Sequence, residues 1–132
     1  MRAMPHAKTA VVVGALGVIG RYIVDKLASL PDWQVVGLSR RKGEDRAKVR
    51  YISVDLLDEA DTAVKLKGLS NATHVYYCAF QASGTQAADY AKGTAVNLAM
   101  LANAVRAVDN VAQALERVVL ITGTKYYGSH LG

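Results

Sequence analysis

Short runs of apolar, largely β-branched residues alternate along the chain with longer segments in which apolar residues recur at helical spacing. Continuous apolar runs predict strands buried on both faces, and spacing of three to four residues predicts helices with one buried side. Five runs are interpreted as strands: Thr9–Val13, Trp33–Leu38, Val49–Val54, Thr73–Cys78 and Arg117–Ile121. The alternation predicts an α/β fold, a Rossmann-like doubly wound parallel sheet with strands in the order 3-2-1-4-5.

Three segments carry the helical spacing. In the first, which Pro31 closes, one apolar face is predicted from Ile19, Tyr22, Ile23, Leu27 and Leu30. The second begins after Asp58, a capping residue, and runs to about Lys67. The third covers residues 87–110 approximately. The polar connection 41–48 is too short for a good helix, so it is predicted to be a loop.

Composition limits the class of protein. The chain has 132 residues, of which 52% are hydrophobic, so it is too apolar for a disordered chain and has room for one domain, residues 1–132. The longest apolar run, residues 10–20, is shorter than the ~20 residues that a membrane-spanning helix needs. No secretory signal is evident at the start, and the single cysteine, Cys78, suits a reducing compartment. A cytoplasmic location is therefore expected, with no membrane partner.

A glycine-rich turn follows the first predicted strand. In Gly14-Ala-Leu-Gly17-Val-Ile-Gly20 the first glycine permits a tight turn, and the second lets a pyrophosphate approach the backbone. The third permits close packing between the helix and the sheet. The helix N-terminus then offers free amides to phosphates. The residues expected to bind a dinucleotide cofactor here are Gly14, Leu16, Gly17, Val18, Ile19 and Gly20.

The residues after the second strand indicate which dinucleotide is bound. An NAD-binding fold usually has Asp or Glu there for the ribose 2′-hydroxyl, but this chain has Ser39-Arg40-Arg41 and no acid before Glu44. A guanidinium binds a 2′-phosphate bidentately, so NADP(H) is the predicted cofactor. Two arginines on a solvated loop are the alternative. The surrounding basic run lacks interleaved aromatic residues, so no nucleic-acid partner is expected.

Further residues are predicted to contact the cofactor from the ends of the third and fourth strands. Asp55, with Leu56 after it, is placed to bind the adenine, although a helix cap is the alternative for Asp55. Ala79 and Phe80 should line the central part of the cofactor. Cys78 has no nearby histidine to activate it and is interpreted as a buried strand residue. The histidines have no metal-ligand spacing, so no metal site is predicted.

The spacing Gly-x-x-Gly-x-x-Gly resembles that of the short-chain dehydrogenase/reductase superfamily, particularly its extended and atypical branches. Two more specific segments, Thr-His-Val-Tyr-Tyr at 73–77 and Gly-Thr-Lys-Tyr-Tyr-Gly at 123–128, resemble those of the progesterone 5β-reductase/iridoid synthase-like enzymes. The resemblance covers essentially the whole chain, and it includes Asn97, Asn103 and Thr122-Gly123. These enzymes use NADPH to reduce the C=C bond of enones.

The resemblance implies roles for particular residues. Lys125 matches the catalytic lysine, which would hold the nicotinamide ribose and lower the pKa of a tyrosine phenol. Asn97 and Thr122 match cofactor-binding positions. The catalytic tyrosine and the sixth strand of the family are not found in the 132 residues, so the chain resembles the N-terminal portion of a longer reductase. The open edge of the fifth strand favours self-association, and a homodimer is the expected assembly.

Two other functions stay open at this point. One is an NAD(P)-dependent nucleotide-sugar epimerase or dehydratase of the extended superfamily. Such enzymes often bind NAD and carry a Tyr-x-x-x-Lys pair, and Arg40 disfavours NAD. The other is a non-catalytic sensor that binds NADP and a protein partner, which requires the chain to be complete at Gly132. An enone or other carbonyl compound is the substrate class expected for the reductase.

Overall fold

The computed structural model describes residues 7–79 and 87–121. These residues form five strands and three helices. The strands are β1 (Lys8–Val13), β2 (Trp33–Ser39), β3 (Val49–Ser53), β4 (His74–Tyr77) and β5 (Arg117–Leu120). The helices are α1 (Val18–Ala28), α2 (Glu59–Leu66) and α3 (Ala87–Val111). Within this part of the chain, no helix is long and apolar enough to cross a membrane.

The five strands form one parallel sheet in the order β3-β2-β1-β4-β5, which confirms the predicted topology. The central strand β1 pairs with β2 from Lys8–Trp33 to Val13–Leu38 and with β4 from Ala10–His74 to Val13–Tyr77. Because the strands are parallel, their carboxyl ends lie along one edge of the sheet. Ligands bind at this edge in open α/β sheets.

The sheet has an apolar core on each face. One core is formed with α2 and α3, and its fully buried members include Val11, Val13, Leu38, Leu66, Val75 and Val108. The other core is formed with α1, and it contains Ala10, Val12, Val24, Leu27, Val35 and Tyr51. Successive β1 residues alternate between the two cores, as successive side chains of a strand must. This explains why β1 is continuously apolar from Ala10 to Val13.

The buried face of α1 matches the predicted one in part, because Leu27 is buried and Ile23 and Leu30 pack against the same core. Tyr22 is 71% exposed and Ile19 is 49% exposed, so these two residues lie outside the buried stripe. The stripe consists of Gly20, Val24 and Leu27, which recur at helical spacing. A glycine contributes no side chain to an apolar pattern, so the sequence pattern placed the face too far round the helix.

The connection between β2 and β3 contains no helix, as predicted. It closes on itself through a bridge in which Arg46 and Val49 exchange backbone hydrogen bonds of 2.9 Å. Lys48 adopts a φ of +69°, in the left-handed region that side chains rarely occupy. Its ammonium donates to the carbonyls of Ala28, at 3.1 Å, and Leu30 at the end of α1. These bonds hold the connection against the C-terminus of α1, where a cation is favourable.

Candidate functional site

The glycine-rich turn joins the end of β1 to the start of α1 at the carboxyl edge of the sheet. Gly14 has a φ of +83°, which glycine adopts without strain. Its amide and that of Ala15 both donate to the carbonyl oxygen of Leu38, at 2.9 and 3.1 Å. A Cβ at Gly14 would lie 2.7 Å from the backbone nitrogen of Ala79. The turn is therefore fixed between the ends of β2 and β4.

The other two glycines of the turn meet different constraints. A Cβ on Gly20 would lie 2.0 Å from the carbonyl oxygen of Gly14, far inside van der Waals contact. The close packing predicted for Gly20 is therefore against the turn itself rather than against the sheet. Among residues 7–79 and 87–121, a Cβ on Gly17 would meet only that same oxygen, at 3.5 Å, which is an ordinary contact. A ligand can approach the backbone of Gly17.

The first turn of α1 presents its amides without competition from side chains. Gly17 is the N-cap, no side chain of the described residues caps the helix, and the first turn contains no acidic residue. Val18 is 90% exposed, and Ile19 is also exposed. The carbonyl of Leu16 accepts a hydrogen bond of 2.9 Å from the guanidinium of Arg21, which places a positive charge beside the turn. Uncapped amides and a positive helix end together favour a phosphate.

Ser39, Arg40 and Arg41 lie where the chain leaves β2 at the same edge. Both arginines are exposed, and no acidic residue follows β2 before Glu44. The hydroxyl of Ser53 donates to the carbonyl of Arg40 at 2.6 Å, and that of Ser39 donates to the carbonyl of Arg41. The backbone at the two arginines is thus held by serines, while their guanidinium groups are accessible to an anion.

Other basic residues of the same connection have structural partners. Arg46 forms an ion pair with Asp25 of α1, and this hydrogen bond raises the pKa of Arg46. Lys42 lies 4.0 Å from Asp45. Lys48, which bonds to the carbonyl of Ala28 at the end of α1, is a third such residue. Three of the six basic residues between positions 40 and 50 therefore make contacts within the protein. Arg40 and Arg41 are the basic residues of this run that lie at the carboxyl edge.

Asp55 and Leu56 follow β3, two and three residues after its last member. The Asp55 carboxylate accepts a hydrogen bond of 3.1 Å from the amide of Leu57, and the side chain is exposed. Leu56 is buried, and its carbonyl accepts a 2.8 Å hydrogen bond from the Asn103 amide of α3. Asp58 is the N-cap of α2 and accepts from the amide of Asp61, which confirms its predicted role. Asp55 is therefore not the helix cap.

The end of β4 lies beside the glycine turn. The amide of Cys78 donates to the carbonyl of Val13 at 2.8 Å. Cys78 was predicted to be the last residue of the fourth strand, but β4 ends one residue earlier, at Tyr77. Burial raises the pKa of the Cys78 thiol to about 11, so it is a neutral thiol near pH 7. This agrees with its interpretation as a structural residue rather than a nucleophile. Ala79, next in the chain, contacts Gly14 as described.

Tyr77, the last residue of β4, points into the core shared with α3. Its side chain is 3% exposed, and its hydroxyl has no hydrogen-bond partner in the part of the chain that the structure describes. Burial raises its pKa to about 12. The phenol is therefore neutral near pH 7 and serves the core as an apolar ring.

On α3, the side-chain amide of Asn97 donates to the carbonyl of Gly93 at 2.7 Å.

His74 lies at the start of β4, at the opposite edge of the sheet. Its ring is buried between the ring of Trp33 and Thr73, whose hydroxyl lies 2.9 Å from Nδ1 of His74. Desolvation lowers the pKa of His74. Among residues 7–79 and 87–121, no group of acidic, histidine or cysteine side chains is arranged to hold a metal ion.

Some predicted residues lie outside the described ranges. They are the catalytic candidate Lys125 and the cofactor candidates Phe80 and Thr122. A Tyr-x-x-x-Lys spacing does occur in the chain, at Tyr22 and Lys26 of α1. Both of these side chains are exposed on the helix.

Sequence reasoning missed three residues that support the site. The Ser53 hydroxyl donates to the carbonyl of Arg40, and Lys65 donates to the carbonyl of Ser53, two residues before Asp55. Gly43 packs against the ring of Tyr51. A Cβ on Gly43 would lie 2.9 Å from that ring, so a side chain would displace the connection. Register could have revealed Ser53, because Ser39 and Ser53 are partners at the ends of adjacent strands.

Comparison with known proteins identifies the family. A family model described as the NAD dependent epimerase/dehydratase family matches residues 10–132, and the chain belongs to this family. The short chain dehydrogenase gsfE of Penicillium aethiopicum is 32% identical over 94% of this chain and 34% of its own length. A 3-oxo-Delta(4,5)-steroid 5-beta-reductase of Arabidopsis thaliana is 32% identical over 89% of this chain and 31% of its own length.

An (S)-8-oxocitronellyl enol synthase of Nepeta cataria is 31% identical over 92% of this chain and 32% of its own length. The chain thus spans about a third of the length of these curated relatives. Among solved structures, a short chain dehydrogenase family protein of Francisella tularensis has a TM-score of 0.77 and 14% identity, over 93% of this chain and 54% of that one. This likeness confirms the short-chain dehydrogenase/reductase fold, and the resemblance to the reductase and enol synthase relatives is also confirmed.

Proposed function

We propose that the protein is an NADPH-dependent oxidoreductase that reduces the C=C bond of an α,β-unsaturated carbonyl compound. The observation that carries the cofactor choice is the pair of exposed guanidinium groups at Arg40 and Arg41, with no carboxylate at the end of β2. The reaction class is supported by two relatives whose names describe a steroid 5-beta-reductase and an enol synthase. A small enone or other carbonyl compound of the cytoplasm is the proposed substrate.

The described residues fit a dinucleotide. Gly17 leaves the backbone accessible, and the uncapped start of α1 would hold the pyrophosphate. Arg40 and Arg41 would bind the 2′-phosphate, because planar guanidinium groups match its geometry. Asp55 would accept a hydrogen bond from the adenine amino group. Its carboxylate is exposed, so it is accessible to the base.

The chemistry needs one further group beyond binding. When bound, NADPH supplies the hydride for such a reduction. Charge that develops on the substrate carbonyl oxygen must meet a preorganised donor, which is typically worth about 10²–10³ in rate. We assign Lys125 to lowering the pKa of a donor tyrosine and to holding the nicotinamide ribose. The resemblance matches no tyrosine of this sequence to that donor.

The test begins with cofactor titration followed by turnover. Binding of NADPH and NADH is measured by fluorescence, and NADPH oxidation is then followed with a cyclic enone, a linear enone and the matching saturated ketone. Tighter binding of NADPH, with oxidation in the presence of enones only, is the expected result in a protein of the relatives' length. Lys125→Ala should lower the rate more than it weakens NADPH binding. Oxidation with the saturated ketone alone would contradict C=C reduction.

A second candidate follows from the family match itself. Epimerases and dehydratases of nucleotide sugars retain their cofactor without net consumption, so they convert substrate without NADPH oxidation. Incubation of the protein with nucleotide sugars and either cofactor, followed by chromatography, separates the two functions. Conversion of a nucleotide sugar without cofactor consumption would favour this second candidate over the reductase.

A further inference from the structure

The ends of β2 and β3 are joined by a chain of polar contacts that starts on α2. Lys65 donates to the carbonyl of Ser53 at 3.0 Å and lies 3.6 Å from the carboxylate of Asp61. Asp61 also accepts from the amide of Asp55 at 3.1 Å. The hydroxyl of Ser53 then donates to the carbonyl of Arg40 at 2.6 Å. Ser53 is thus bonded on both sides, to α2 through its backbone and to Arg40 through its side chain.

The hydroxyl of Ser53 contacts the connection between β2 and β3 at one residue, Arg40. Ser39 and Ser53 are register partners, and the amide of Val54 donates to the carbonyl of Ser39 at 2.9 Å, so the strands are paired up to this point. Arg40 is the first residue beyond the paired strand. Its carbonyl has the Ser53 hydroxyl as its donor, and this bond crosses between the two strand ends.

The rest of the connection is held by other contacts. The amide of Tyr51 donates to the carboxylate of Asp45 at 2.8 Å, and Gly43 packs on the ring of Tyr51. Arg46 and Lys48 tie the same segment to α1. Removal of the Ser53 hydroxyl therefore leaves the connection closed, and it frees mainly the backbone at Arg40.

We propose that Ser53 is a positioning residue for cofactor selectivity. Its hydroxyl fixes the backbone of Arg40 so that the guanidinium meets the 2′-phosphate of NADPH in a bidentate geometry, whereas NADH has no phosphate at that position. This inference rests on the proposed preference for NADPH. A positioned guanidinium loses less side-chain and backbone freedom on binding, so the anchor improves affinity for the phosphorylated cofactor alone.

Titration of Ser53→Ala with both cofactors tests the proposal. We expect NADPH affinity to fall roughly 2- to 12-fold, the factor that corresponds to one neutral hydrogen bond, with NADH affinity unchanged. Ser53→Thr keeps a hydroxyl, so its NADPH affinity should stay close to that of the unmutated protein. The matched control is Ser29→Ala, which removes a serine hydroxyl that donates to the carbonyl of Lys26 at 2.6 Å at the far end of α1. It should change neither affinity.

A double-mutant cycle identifies the route. In an Arg40→Ala background, Ser53→Ala should have no further effect on NADPH affinity if Ser53 acts through Arg40. Equal losses for NADPH and NADH, or additive losses in the cycle, would overturn the proposal in favour of a general structural role. The two failures are distinct: equal binding of both cofactors by the unmutated protein refutes the NADPH preference. A clear preference that Ser53→Ala leaves unchanged refutes only the role of Ser53.

Discussion

The glycine-rich turn follows β1, and the basic connection between β2 and β3, residues 40–48, follows the neighbouring strand β2. Different forces position these two segments. In the turn, positions are fixed by exclusion, since a Cβ at Gly14 or Gly20 would lie within 2.7 or 2.0 Å of backbone atoms. In the connection, positions are fixed by directed contacts from serine, aspartate, arginine and lysine side chains. Excluded side chains dominate in the turn, and directed side-chain contacts dominate in the connection, although Gly43 of the connection also packs closely, on the ring of Tyr51.

This difference indicates how each part tolerates change. A steric constraint fails completely when an atom is added, because backbone cannot move aside cheaply. A set of individual hydrogen bonds, each worth about 0.5–1.5 kcal/mol, fails in steps. We therefore expect the turn to decide whether a dinucleotide binds, and the connection to adjust which dinucleotide is preferred.

The largest effect is expected from Gly20→Ala. The new Cβ would collide with the carbonyl oxygen of Gly14, so the turn or α1 must shift, at a cost of about 3 kcal/mol or more in the free energy of unfolding. Urea unfolding followed by circular dichroism measures it. Gly68→Ala is the matched control, because a Cβ there meets none of the described residues within 4 Å. A Gly20→Ala protein as stable as the Gly68→Ala protein would contradict steric positioning of the turn.

Gly17→Val should abolish dinucleotide binding while the fold persists. A Cβ at Gly17 makes one ordinary contact with the part of the chain that the structure describes, so the added side chain would extend into the space where the pyrophosphate is proposed to lie. Calorimetric titration with NADPH and NADH should show no binding, with an unfolding midpoint close to that of the unmutated protein. Retained binding of either cofactor would place the phosphate site elsewhere.

Arg40→Asp should shift cofactor choice without removing binding. Loss of a charge-assisted contact, worth about 1.5–3 kcal/mol, predicts a decrease in NADPH affinity of roughly 10- to 150-fold, with NADH affinity largely kept. Arg50→Asp makes the same change in charge at an exposed position near the start of β3, and it controls for net charge. Equal effects of the two variants on NADPH affinity would indicate long-range electrostatics instead of a contact.

The smallest effect is expected from the ion pair between Arg46 and Asp25. Both side chains are about half exposed, at 48% and 61%, so the pair should contribute less than about 1 kcal/mol to the free energy of unfolding. A double-mutant cycle with Arg46→Ala and Asp25→Ala, repeated at high salt, measures the coupling. A coupling well above this value, insensitive to salt, would show that the connection is fixed as rigidly as the turn.

The sequence pattern predicted most of the fold because the central strands β1, β2 and β4 are largely buried, whereas the edge strand β5, also predicted to be buried, is mostly exposed. The stretch Ala10–Val13 is apolar at every position, and the alternation of strands with helices leaves few topologies for a parallel sheet. The strand order was therefore predictable. The rotation of α1 was not, because its buried stripe begins at Gly20, whose contribution is the closeness of its backbone to Gly14.

The candidate site was predictable where the residues themselves carry the chemistry. The glycine spacing and the arginines after β2 could be identified from sequence alone. The bond from Ser53 to Arg40 could not, because it depends on β2 and β3 ending at paired residues. The difference between structural and available basic residues likewise depends on tertiary contacts, such as that of Lys48 with the end of α1.

Burial of Cys78 beside the glycine turn has a practical consequence for following the site. It is the single cysteine of the chain, and partial burial raises the pKa of its thiol to about 11, so the thiol is neutral at pH 7. Alkylation should therefore be slow, at a single defined position, and should accelerate when the end of β4 separates from Val13. The labelling rate of Cys78 would report the opening and closing of this edge of the sheet, with or without a dinucleotide, with no added dye or engineered residue.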